Sequence, residues 1–317
     1  VIICADAIDG LKQIKDCSIN TCVTSPPYYN LRDYGVDGQI GLEKTVCEYI
    51  KKLVSVFRDV HRVLREDGTL WMNMGDTYAA CGLRTIPSGV RNKAVAGTRR
   101  VTPPGYKAKD IIGIPWMLAF ALREDGWFLR QDIIWRKPNA MPESVTDRCS
   151  REHEYIFLLS KSKHYYFDAL AIKERSLTKP RKNETQGTGS RVEMKMRGHG
   201  SCFGTKEYRN RRSVWTVSTK PFFGAHFATF PPELIRPCVL AGAPPYGVVL
   251  DPFFGSGTVG VVAIEERRKY VGVEINPEYV SIAKRRIASM TYQHEMFYLS
   301  ERRAKKESRH QALKMLT

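Results

Sequence analysis

Residues 248–258 read Val-Val-Leu-Asp-Pro-Phe-Phe-Gly-Ser-Gly-Thr, and this run restricts the fold more than any other segment. Its apolar start, Gly247–Leu250, predicts a short buried strand. Asp251 and Pro252 end that strand. Gly255 and Gly257 allow a tight turn, a close ligand approach and positive φ. From Thr258 to Arg267 a helix is expected. A strand, glycine turn and helix start in sequence belong to an open α/β sheet, with unpaired N–H groups aimed at a ligand. Neither the dinucleotide pattern G-x-G-x-x-G nor a phosphate loop is present, and no Lys follows the last Gly. A dehydrogenase is therefore disfavoured, and a carboxylate-bearing cofactor suits the turn as well as a phosphate does. Tyr270–Ile275 is the next expected strand. Near its end stands Glu274, an acid able to accept hydrogen bonds from a ribose diol. Asn276 follows in the same turn.

The other end of the chain carries a second unusual run. Val1–Cys4 reads as a strand with Asp6 just beyond it, and a short helix follows through Leu11 and Ile14. Ile19–Thr24 is a strand that runs into Ser25-Pro26-Pro27-Tyr28-Tyr29. The two prolines fix φ and remove two backbone donors. Carbonyl acceptors remain, as an incoming amino group requires. Ser25 adds an oxygen, and the Tyr28 ring offers a stacking face. Tyr29 either assists that stacking or packs in the turn. By itself the run also fits an ordinary loop after a strand; the glycine turn in the same chain favours a site.

Between these ends the pattern alternates. Residues 46–64 place Val46, Tyr49, Ile50, Leu53, Val54, Phe57, Val60 and Leu64 on one helical face. Glu66-Asp67-Gly68 reads as the stop, with Thr69–Met74 the next strand. Pro115–Arg123 is a helix, and Trp127–Trp135 and Tyr155–Ser160 are strands. Pro231–Leu240 and Pro277–Met290 are helices. Residues 77–109 are irregular and rich in Gly, Pro and basic residues.

A net charge of +17 points to a polyanionic partner. The segment 173–212 concentrates it, with twelve Lys and Arg against four Glu. Apolar residues are sparse there and glycines frequent. Arg191, Lys195, Arg197, Lys206, Arg209, Arg211 and Arg212 are the candidate nucleic-acid contacts, against the plainer reading of a solvated loop. The eight cysteines form no C-x-x-C pair, so no metal is expected. No apolar stretch reaches membrane-spanning length and no signal peptide is visible. The expectation is a protein of the cytoplasm with no membrane partner.

These segments resemble the amino-group DNA methyltransferases that use S-adenosyl-L-methionine, in the group whose catalytic motif precedes the cofactor motif. Thr24–Tyr28 is similar to the catalytic motif, making Ser25, Pro26, Pro27 and Tyr28 the catalytic candidates. Asp251–Gly257 is similar to the methionine-binding loop, which implicates Asp251, Pro252, Phe253, Gly255 and Gly257, with Thr24, Thr258 and Asn276 beside them. Glu274 matches the ribose-binding acid, and Asp6 the residue that meets the adenine ring. His226–Pro231 resembles the segment that covers the methionine moiety, implicating His226 and Thr229; Phe230 stands where the family often carries Lys.

The resemblance implies a circularly permuted Rossmann-like sheet with helices on both faces, a seventh, antiparallel strand, and the Asp6 strand beside the Glu274 strand. It divides the chain into a catalytic half (1–172), a target-recognition insert (173–212), a cofactor half (213–292) and a basic tail (293–317). The implied reaction is methyl transfer to the exocyclic amine of a base flipped out of double-stranded DNA. Ser25 at the first motif position favours cytosine N4, with adenine N6 as the alternative. A further alternative is an inactive DNA-binding subunit. Double-stranded DNA is the expected partner, a cognate restriction endonuclease is a candidate one, the source is a prokaryote or phage, and the chain is expected as a monomer or homodimer.

Overall fold

The computed structural model describes residues 1–31, 35–36, 38–79, 102–176, 207–219 and 230–290. In chain order the elements are β1 (Ile2–Cys4), α1 (Ala7–Lys12), β2 (Ile19–Thr24), α2 (Val46–Val63), β3 (Leu64–Met74) and α3 (Ile114–Glu124). Next come β4 (Phe128–Arg136), β5 (His153–Ser160), β6 (Glu174–Arg175), β7 (Tyr208–Arg209) and β8 (Val214–Thr216). The chain continues through α4 (Pro232–Gly242), β9 (Val248–Asp251), α5 (Thr258–Glu265) and β10 (Lys269–Glu274), and residues 277–290 form α6.

Eight strands form one sheet in the order β1-β10-β9-β2-β3-β5-β4-β8. The expected junction of the chain's two ends is present: Cys4 pairs with Glu274 in parallel register. β5 runs antiparallel to both β3 and β4, and the other pairings are parallel. β8 is an eighth strand that the sequence pattern did not announce. It is three residues long and buries only Trp215, too little for a period-two signal.

Period-two alternation along the strands divides the core. Cys22, Leu70, Met72, Phe157 and Leu250 face α1, α2 and α3. Val23, Trp71, Ile156, Leu158 and Val249 face α4, α5 and α6. Helices thus cover both faces, as a mostly parallel sheet requires. The longest of them, α2, is started by a capping box between Thr45 and Glu48. Its end differs from expectation. Glu66-Asp67-Gly68 is no terminal turn: α2 passes directly into β3, and these residues form a register shift between the pairs Ile19–Leu64 and Thr21–Thr69.

The basic segment leaves and returns at one place. β6 and β7 pair antiparallel, Glu174 with Arg209 and Arg175 with Tyr208. Among the described residues no helix is long and apolar enough to cross a membrane.

Candidate active site

The carboxyl ends of β2, β9 and β10 open onto one cavity of about 380 Å³, the place where open α/β sheets take ligands. Both unusual runs of the sequence line it: Ser25, Pro26, Pro27 and Tyr28 on one side, and Asp251, Pro252, Phe253, Gly255 and Thr258 on the other. Asp6, Glu274, Asn276 and Phe230 complete the second side.

At the cofactor side two carboxylates are held by N–H and O–H donors. Asp251 Oδ1 accepts from Thr24 Oγ1 at 2.6 Å and from the Phe253 N–H at 3.0 Å. Glu274 accepts from the Gly255 N–H at 2.7 Å and the Asn276 N–H at 2.9 Å. Burial pushes Asp251 up to about 7 against the pull of those donors, and the Glu274 charge adds to the rise. Burial also raises Glu274. Two acids so placed are poised for a ligand that brings hydroxyl donors or positive charge, either of which favours their ionised forms. A carboxylate-only ligand would meet repulsion here unless it sat against the turn's N–H groups.

Two of the expected cofactor contacts, Thr24 and Gly257, stand behind the cavity wall. Thr24 is 1 % exposed and is absent from the cavity wall; its hydroxyl positions Asp251. Gly257 is likewise off the wall: at φ 82° it caps α5, and an added Cβ would lie 3.0 Å from the Ala283 side chain. Thr258 faces the cavity while Arg286 donates to its hydroxyl at 3.0 Å. Asp6 also has two tasks, lining the cavity and capping α1 through the Ile8 and Asp9 N–H groups. His226 and Thr229 lie outside the described residues, as do Arg191, Lys195, Arg197 and Lys206.

On the other side of the cavity the turn's carbonyls differ. Tyr49 donates to the Pro27 carbonyl at 2.7 Å, so that oxygen is already engaged. Among the described residues none donates to the Pro26 carbonyl, which stays available beside Ser25. The two readings of Tyr29 are separated by its packing: it is 3 % exposed, with its ring 5.4 Å from that of Tyr49, and belongs to the turn.

Tyr28 sits in a polar cluster that sequence reasoning missed. Its hydroxyl donates to Glu154 Oε2 at 2.8 Å. Burial, then the Glu154 charge, holds the phenol well above its usual range, so it stays protonated. Asn73 Nδ2 also donates to Glu154 Oε2, at 3.2 Å, and Lys137 Nζ pairs with Oε1. The Lys137 ammonium lies 4.3 Å from the Trp135 ring centroid. Asn73, Trp135, Lys137 and Glu154 all line the cavity. The available signals were weak: a buried Asn among the apolar residues of 70–74, and Glu154 at the head of the apolar strand 155–160. Gly75 makes the arrangement possible, since a Cβ there would come within 3.0 Å of the Tyr28 ring and 3.1 Å of Glu154.

The three described candidates for DNA contact have partners inside the protein. Arg209 and Arg212 both donate to Glu174 Oε1, at 2.8 and 2.7 Å. Arg211 is half-buried and stacks over Trp215, 4.7 Å from the ring centroid. Arg211 ties the foot of the basic segment to β8, while Arg209 and Arg212 tie it to β6, and the Arg212 side chain stays 60% exposed.

A sheet of this order thus brings a Pro-Pro-Tyr turn, a glycine turn and two buried acids to one cavity. Over residues 19–285 the chain matches the model of a DNA methylase family, and it belongs to that family. Among its relatives, the type II methyltransferase M.Cfr9I of Citrobacter freundii is 52% identical over 283 residues, covering 89% of this chain and 85% of that protein. Among solved structures, the PvuII cytosine-N4-specific DNA methyltransferase superposes with a TM-score of 0.60 at 19% identity, covering 91% of this chain and 90% of that one. A candidate DNA modification methylase of Thermus thermophilus, solved with S-adenosyl-L-methionine, gives 0.56 at 22% identity, covering 91% and 93%. At these identities the structural likenesses establish the fold.

Proposed function

We propose that this chain transfers the methyl group of S-adenosyl-L-methionine to the exocyclic N4 of a cytosine flipped out of double-stranded DNA. One observation carries the reading: Ser25 and Pro26 line the same cavity as Asp251 and Glu274. An amine acceptor and a cofactor cradle therefore share one space.

The cofactor supplies a methyl group already activated on a sulfonium. The chain supplies position. Glu274 and Asn276 suit the ribose, Asp6 the adenine edge, and Asp251 with the Pro252–Gly255 turn the amino-acid end. A cytosine amine is a weak nucleophile because its lone pair is delocalised into the ring. Accepting its hydrogens at Ser25 and the Pro26 carbonyl favours a pyramidal nitrogen aimed at the methyl carbon. Orientation of this kind supplies most of the remaining acceleration. The target atom is inaccessible inside a duplex, so extrusion of the base is required, with Tyr28 as its stacking partner. The extra proton on nitrogen leaves along the same hydrogen bonds to solvent.

Ser at the first motif position favours cytosine over adenine, and the cytosine-N4 specificity of the PvuII enzyme agrees with that choice. We assign target recognition to the insert within 173–212, including Arg191, Lys195, Arg197 and Lys206. The support is its charge and the β6–β7 pairing at its base. The type II name of M.Cfr9I supports a cognate restriction endonuclease as partner, acting with this protein in the cytoplasm.

The test is incubation of duplex DNA with methyl-labelled cofactor, followed by nucleoside identification. N4-methylcytosine is expected. Label on N6-methyladenine, on cytosine C5, or only on RNA or protein would overturn the assignment.

A further inference from the structure

The Lys137–Glu154 pair is the least explained feature of the cavity. Side-chain exposure is only 19% and 16%, so both charges have lost most of their hydration. A buried ion pair is a poor way to gain stability, because an apolar pair of similar volume is often as good. Its retention inside a reactive cavity asks for another reason. Glu154 is engaged on both oxygens: by Lys137 on one, by Tyr28 and Asn73 on the other. Lys137 is less fully engaged. An ammonium has three donors, and among the described residues Glu154 is its only hydrogen-bond partner. The spare N–H groups belong to a side chain that shares the cavity wall with Ser25, Pro26 and Tyr28.

Resting on the reading of a flipped cytosine, we propose that Lys137 is a specificity-determining residue that donates a hydrogen bond to cytosine N3. Ser25 and Pro26 grip the amine, and N3 is the next polar atom around the ring. It is an acceptor, so it needs a donor, and enzymes that flip bases read the extruded Watson–Crick edge by such bonds. Glu154 then has a definite task. A bare ammonium at N3 would draw electron density from the N4 nitrogen that must attack the sulfonium methyl. The adjacent carboxylate neutralises it, so the ring is recognised without a net positive charge beside the nucleophile. Glu154 is a positioning residue in this scheme: it orients Lys137 and the Tyr28 hydroxyl together.

The test uses two duplexes that differ at the mapped target position, one with cytosine and one with 3-deazacytosine, which replaces N3 by C–H. Single-turnover rate and duplex affinity are measured for wild type, Lys137→Met and Lys137→Gln. Removing one partner of a buried hydrogen bond leaves the other unsatisfied, at about 1–3 kcal/mol, or roughly 5- to 150-fold. Wild type should prefer cytosine by that factor more than Lys137→Met does. Lys137→Gln keeps a neutral donor and should retain much of the preference. Glu154→Gln should slow the chemical step on cytosine while leaving the preference for N3 in place. Cofactor affinity without DNA, expected to be unchanged, verifies that each variant is folded. An equal cytosine-to-deazacytosine ratio in wild type and Lys137→Met would overturn the inference. If the labelled product on ordinary DNA is N6-methyladenine, the functional reading fails first; N4-methylcytosine with an unchanged ratio removes Lys137 alone.

Discussion

The two sides of the cavity solve opposite electrostatic problems. The cofactor side buries Asp251 and Glu274, and among the described residues neither has a cationic partner; backbone N–H groups and the Thr24 hydroxyl are what hold them. Both acids are raised as a result. The base side holds a matched, half-buried pair, Lys137 with Glu154, and Tyr28 and Asn73 also donate to Glu154. One side stores unmet demand for a ligand that brings donors and positive charge. The other is nearly balanced before anything binds, as suits a neutral ring that must be recognised without being polarised the wrong way.

The sharpest way to break this contrast is at the base side. Tyr28→Ala removes the stacking face and one bond to Glu154. Single-turnover methylation should fall by roughly 10²-fold or more, the scale of lost positioning. Rapid-quench measurement giving near-wild-type rates would take Tyr28 out of the site.

The cofactor side should show a conflict between stability and function. Asp251 sits at about 7 in the folded protein, above the ordinary aspartate value near 3.9. A raised carboxyl favours folding most where it is protonated; that contribution is lost as pH rises through the folded value. Asp251→Asn should therefore raise the Tm of the ligand-free protein, with the gain growing between about pH 4 and pH 7 and constant above. The same change should weaken cofactor binding by roughly 10-fold or more, the value of a charge-assisted hydrogen bond. A variant that melts lower than wild type at pH 8 contradicts the account of Asp251.

A smaller effect concerns wild type alone. Cofactor donors prefer ionised Asp251, so affinity should strengthen as pH rises from about 6 to about 8, across the raised value. Calorimetry over that range measures it, and a flat profile would show that the ligand is indifferent to this carboxyl. The smallest expected change is Tyr49→Phe. Losing the 2.7 Å bond to the Pro27 carbonyl frees the turn, and should cost about 0.5–1.5 kcal/mol of alignment, several-fold in single-turnover rate with cofactor affinity intact.

The same contrast explains what could be read from the chain alone. The cofactor side is contiguous: strand, turn and helix follow one another within 248–265, and Glu274 falls on the next strand. Local pattern is enough to find such a site. The join of β1 to β10 was also legible, because a cofactor site in this motif order needs both strands side by side. The base side gathers Tyr28, Asn73, Lys137 and Glu154 from four separate segments at the ends of β2, β3, β4 and β5. Only the first lies in a recognisable motif. Lys137 and Glu154 are ordinary charged residues until the antiparallel pairing of β4 with β5 sets them together. For the same reason Arg209 and Arg212 read as free cations, since nothing local announces that Glu174 lies across the β6–β7 pairing.

The division of labour between the two sides is tested most directly by calorimetric titration of S-adenosyl-L-methionine, without DNA, into Tyr28→Ala and Glu274→Ala. The account predicts wild-type affinity in the first and at least roughly a 10-fold loss in the second, on the scale of bonds to a charged group. Equal losses in both, or an unchanged Glu274→Ala, would contradict it.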